Sequence, residues 1–178
     1  MKKLFASLLF CLIATPALAS QIDYYIGELR TLSAKGDLQS LSVALAKRTL
    51  DPKLKVIIEE ILHITAHGDT THFTQVSQVN GDKYAIQDSA KRMKGEGKLF
   101  GKAWEWDRWD AAGLVDGKRR FTSRSHLAGG MLLVRKEFFD PAGKLSTVFS
   151  EEYRPISHDL YELLYTRLNQ NPAKTPLS

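Results

Sequence analysis

The sequence predicts an α+β domain. Helices open it, an antiparallel up-and-down β-meander follows as a curved sheet or partial barrel, and a C-terminal helix packs on that sheet. Three observations carry this. Apolar residues between 22 and 50 recur at intervals of three and four; turn sequences divide residues 67–143 at roughly hairpin spacing; and leucines between 160 and 168 return to helical spacing. The chain has 178 residues, 43% hydrophobic and 25% charged, the make-up of one ordinary globular domain able to hold its own core.

Residues 1–19 read as a cleaved export signal. Lys2 and Lys3 form a positive start, residues 4–14 an apolar run, and Pro16 precedes Ala17-Leu18-Ala19, an A-x-A cleavage site before Ser20. The apolar run is shorter than the roughly 20 residues of a membrane span. Phe10 before Cys11 does not suit lipoprotein processing, which wants a small residue there. Cleavage removes Cys11, the only cysteine, so the mature chain needs no disulfide. It also leaves 23 basic against 20 acidic side chains, a charge of +3. That is far below the excess of a nucleic-acid binder. The expected location is periplasmic or secreted.

One domain is expected over residues 20–168, with a helical region at 20–52, an antiparallel sheet at 53–155, a helix at 156–168 and a loose tail at 169–178. Ile22, Tyr25, Ile26, Leu29 and Leu32 share one helical face, and Leu38, Leu41 and Leu45 share another after a break at Gly36-Asp37. Asp51-Pro52 is a further break. Residues 53–66 suit a helix passing into a strand near Glu60. The turn signals are His67-Gly68-Asp69-Thr70, Asn80-Gly81-Asp82, Asp116-Gly117 and Asp140-Pro141-Ala142-Gly143, with breaks at Gly95–Gly97 and Gly129-Gly130. Strand-forming runs lie between them. Leu160, Leu163, Leu164 and Leu168 then mark the last helix.

Hairpin register assigns faces. A four-residue loop at 140–143 sets Phe138 opposite Leu145, Val134 opposite Phe149 and Leu132 opposite Glu151, an apolar face that also carries Lys136 and Glu151. These two charges are a sheet-edge pair or the polar groups of a ligand cavity. A two-residue turn at Asp116-Gly117 sets Trp106 against Leu127 and Ala112 against Phe121. On the opposite face it sets Trp109 against Arg124 and Asp107 against His126. Trp109, Arg124 and Arg108 then form a cationic aromatic surface.

The pattern of turns and strands is similar to lipocalin-like barrels, and no motif transfers a function from them. Asp107 with His126 is the candidate catalytic pair, since a carboxylate can orient and charge an imidazole. His63, His67 and His72 are candidate metal ligands. On a strand, however, His63 and His67 stand about 13 Å apart, too far to share an ion. No cofactor is implied.

The first reading is an exported, non-catalytic binding or accessory protein of the cell envelope. It takes a small amphipathic or anionic molecule, or another envelope component, on a surface of Trp109, Arg124, Arg108, Lys136 and Glu151. A small hydrolase or isomerase using Asp107 and His126 is the second. The third is an interaction module whose helical N-terminal region or basic face docks on a protein partner in the envelope. Neither nucleic acid nor a membrane span is expected.

Overall fold

The computed structural model describes residues 19–90 and 92–170. The expected signal and its Cys11 therefore lie outside the described residues apart from the cleavage junction, as does the chain beyond Gln170. The described chain is ten strands and one helix: β1 (Gln21–Ser33), β2 (Leu38–Asp51), β3 (Val56–Thr65), β4 (Thr70–Asn80), β5 (Lys83–Asp88), β6 (Met93–Lys102), β7 (Glu105–Val115), β8 (Arg119–Ala128), β9 (Met131–Phe139), β10 (Leu145–Pro155) and α1 (His158–Gln170). Every strand pairs antiparallel with its neighbours in sequence, and β1 pairs with β10 to close a barrel. Closure leaves no unpaired sheet edge.

The α+β expectation is thus wrong: no helix forms over 20–52, and the sheet is a complete barrel rather than a partial one. Residues 22–50 are two long strands, and residues 56–65 are a strand without a helical lead-in. Part of the cause is burial on both faces, while Ile22, Leu38 and Leu41 of the same pattern stay exposed. Tyr25 of β1 and Ala44, Ala46 and Leu50 of β2 point into the barrel. On the outer face Leu45, Leu62 and Ile64 are buried under α1, with Tyr24 and Ile26 packed beside them. A strand covered on both sides loses its alternation, and what remains mimics helical spacing.

The C-terminal helix supplies that outer cover. Ser157 caps it, its Oγ accepting from the Leu160 N–H at 3.3 Å, with Asp159 in the first turn and Arg167 in the last. Tyr161, Leu164, Tyr165 and Leu168 face the barrel, whereas Leu160 and Leu163 are exposed. The helix runs through Asn169 and Gln170, where a loose tail was expected. Away from it, the outer wall carries exposed charges such as Arg30, Lys94, Arg108, Arg124 and Arg135. Such a wall would be costly against hydrocarbon.

Two hairpins depart from the expected register with opposite consequences. Between β9 and β10 the loop spans 140–144, and Ser146 bulges between the pairs Leu145↔Phe139 and Thr147↔Phe138. The two shifts of one residue add to two, so every side chain beyond the bulge keeps its expected face, and Leu145 alone pairs with Phe139 instead of Phe138. Between β7 and β8 the loop has three residues, with Asp116 and Gly117 at φ of 51° and 67°, and Val115 pairs with Arg119. That single slip exchanges every expected partner across the hairpin.

Candidate ligand-binding site

Alternation along β9 and β10 turns Leu132, Val134, Lys136 and Phe138 inward, with Phe149, Glu151 and Tyr153 opposite. Lys136 and Glu151 therefore meet inside the barrel, not at a sheet edge. Lys136 Nζ donates to Glu151 Oε1 at 3.0 Å, and the Tyr153 hydroxyl donates to Glu151 Oε2 at 2.9 Å. Burial by itself would depress the Lys136 ammonium. The Glu151 charge and hydrogen bond, helped by Glu59, outweigh it and hold the ammonium above the ordinary lysine value. Burial, then the charge and hydrogen bond of Glu151, push the Tyr153 hydroxyl well up.

The same strands line two neighbouring spaces. The outer one is a mouth of ≈ 310 Å³ at the end formed by the β3–β4, β5–β6, β7–β8 and β9–β10 turns. Ile61, Phe73, Met93, Val115, Phe138 and Phe149 give it apolar walls, and Arg92 and Arg119 stand at its rim. Arg119 lies 4.7 Å over the Phe138 ring, and among the described residues neither arginine pairs with a carboxylate within 4.0 Å. Two of the acids here are already engaged. Asp88, 4% exposed, accepts the Met93 N–H at 2.8 Å, and Glu151 is held as above. His63 also lines the mouth. Burial first and the Lys136 charge second lower its pKa, against an opposing pull from Glu151. The neutral imidazole is thereby favoured over the charged one.

The inner space is a chamber of ≈ 50 Å³ that shares Ile61, Met93, Lys136 and Glu151 with the mouth. Arg48, Glu59, Gln75, Ser123 and Ser125 line it together with Tyr25, Tyr84, Trp109 and Tyr153. The Arg48 guanidinium lies 4.2 Å over the Trp109 ring, and Gln75 Nε2 donates to Glu59 Oε2 at 2.8 Å. Two glycines make room for the tyrosines. A Cβ on Gly97 would strike the Tyr84 ring, and one on Gly27 the Tyr153 ring. At the far end Trp104 and Trp106, rings 4.9 Å apart, pack against the core and close the barrel.

Of the residues singled out from sequence, Lys136 and Glu151 share the site as a pair. Trp109 is buried there too, stacked on Arg48 rather than on Arg124. Arg108 and Arg124 instead lie on the outer wall, both bonded to Asp110, at 3.0 and 3.3 Å. A bulge explains why Trp106 and Trp109 both point inward three residues apart. Phe100 pairs with Arg108 and Gly101 with Trp106, which leaves Asp107 without a cross-strand partner.

The Asp107–His126 pair does not form, because Arg108 stands opposite His126. The histidine set is likewise divided. His63 faces the mouth, His67 lies in the β3–β4 turn, and His72 contacts Tyr165 of the helix with ring centroids 6.1 Å apart. No group of three His, Cys, Asp or Glu side chains fit to hold a metal is found among the described residues.

Sequence reasoning missed Arg48, Glu59, Gln75 and Tyr84 as parts of one site. A signal was present for two of them, since Arg48 and Glu59 interrupt otherwise apolar alternations on β2 and β3.

No family model matches the chain, and no curated protein does. Among solved structures it is similar to an acyl-CoA thioesterase II from Mycobacterium marinum, over 76% of this chain and 81% of that one. Identity is 11% and the TM-score 0.22, a likeness that carries no argument about fold or activity.

Proposed function

We propose that this protein is a non-catalytic binding protein that takes a small amphipathic anion in the open mouth of its barrel. One observation carries the reading. The ≈ 310 Å³ mouth has apolar walls and two rim arginines with no ion-pair partner among the described residues. That volume is at the lower end of small-molecule sites. An apolar body would lie on Phe73, Phe138 and Phe149, with its anionic group at Arg92 and Arg119. The export signal expected from sequence would put this binding in the periplasm or outside the cell, where an envelope component of this chemistry is a fitting ligand.

Displacement of anilinonaphthalene sulfonate by octanoate, octanol and octylammonium tests the proposal. Octanoate should displace the dye best and octylammonium worst. Arg119→Gln should weaken octanoate by about tenfold or more, since a hydrogen bond to a charged group contributes about 1.5–3 kcal/mol. Equal displacement by all three, unchanged in Arg119→Gln, would refute it.

A further inference from the structure

The inner chamber has its own unfilled chemistry, separate from the mouth. Arg48 is 4% exposed, and its Nε–H, wholly buried, meets no hydrogen-bond partner. The nearest carboxylate oxygen, Glu59 Oε1, is 3.8 Å away, beyond hydrogen-bond reach. Stacking on Trp109 fixes the guanidinium plane, so the donor cannot swing toward the acid without losing that contact. Leaving such a donor unsatisfied in a core is costly. A group that accepts from Nε–H and donates to Oε1 from adjacent atoms would bridge the gap.

Charge and size narrow what that group is. Arg48 and Lys136 face Glu59 and Glu151, and Lys47, which also borders the chamber, turns its ammonium to Glu60 on the outer wall at 2.9 Å, so the chamber is formally neutral. An added anion would meet both carboxylates, and an added cation both basic groups, with little water to screen either. A volume of ≈ 50 Å³, at roughly 10–15 Å³ per water-sized sphere, holds about three to five non-hydrogen atoms. We infer that the inner chamber is a site for a small neutral amide group, its carbonyl accepting from Arg48 and its N–H donating to Glu59. The group enters either as a free small amide or as the head of a longer amide whose apolar body lies in the mouth. Lys136 lines both spaces and stands between them.

The test is a titration of the wild-type protein followed through the Arg48 Nε–Hε resonance, assigned by its loss in Arg48→Lys. Acetamide, acetate and methylammonium are added in turn, and octanamide separates the two sources. Acetamide should shift the resonance saturably, while the two ions leave it unmoved. The ligand-efficiency ceiling for four atoms puts its Kd no tighter than about tens of micromolar. Octanamide binding at least about tenfold tighter than acetamide identifies the longer molecule; equal binding identifies the free amide. A linear, non-saturating response to acetamide, or saturation by acetate as well, overturns the inference and leaves the chamber to water. Octanoate binding at the mouth can fail while acetamide binds, and the reverse, so the two proposals fall separately.

Discussion

Replacing Lys136 with methionine should destabilise the barrel by about 3–5 kcal/mol, the usual cost of leaving one member of a buried ion pair uncompensated. Methionine keeps most of the side-chain volume, so lost packing contributes little. What remains is the Glu151 carboxylate, 3% exposed as a side chain and held by the Tyr153 hydroxyl alone. Glu151→Gln should cost less, about 1–3 kcal/mol. The glutamine carbonyl still accepts from Tyr153, and Lys136, 20% exposed, can carry its charge toward the mouth. The double variant should fall short of the summed single losses by at least about 1 kcal/mol, as directly bonded partners do. Urea denaturation at neutral pH measures all three. A Lys136→Met loss below about 1 kcal/mol, or strict additivity, would refute the reasoning and place the pair in solvent.

Trp106→Ala and Trp109→Ala should each cost about 3–5 kcal/mol in denaturation curves, because the bulge at Asp107 buries both rings. Leu164→Ala should cost about 1–2 kcal/mol by loosening α1 from the barrel. Leu163→Ala, at an exposed position, should shift thermal unfolding by no more than the scatter of surface substitutions. The depressed His63 pKa means that the unfolded chain binds the proton more readily. Stability should therefore be lost as pH falls through the ordinary histidine range near 6.5, and His63→Gln should flatten that slope in denaturant titrations across the range. Tyr84 and Tyr153 have raised values, so their contribution is complete below pH 10 and should be lost above it. An alkaline limb unchanged in Tyr84→Phe would count against a buried phenol there.

The sequence by itself determined the antiparallel meander and most of its turns, although the break expected at Gly95–Gly97 lies inside β6 and the β5–β6 and β6–β7 turns fall at places it did not mark. Asn-Gly, Asp-Gly and Gly-Gly state their backbone requirement locally, and Gly81, Gly117, Gly129 and Gly130 all sit at positive φ. It also determined that Lys136 and Glu151 share the apolar face, because parity along a strand survives a register error of two. Three things were decided only in the tertiary structure. Whether residues 22–50 are helix or strand depended on pairing around the barrel and, for Tyr24, Ile26 and Leu45, on cover from α1, made by residues more than a hundred positions away. The facing of Trp109 depended on one unpaired residue, Asp107, and the partners of β8 on one extra residue in the loop, since a change of one reverses what a whole strand presents. The site itself came from closure. Arg48, Glu59, Lys136 and Glu151 lie on β2, β3, β9 and β10, and only the β1–β10 pairing that completes the ring brings the first two strands around to the last. Local propensity acts over a few residues, whereas that juxtaposition is set by the circumference of the barrel.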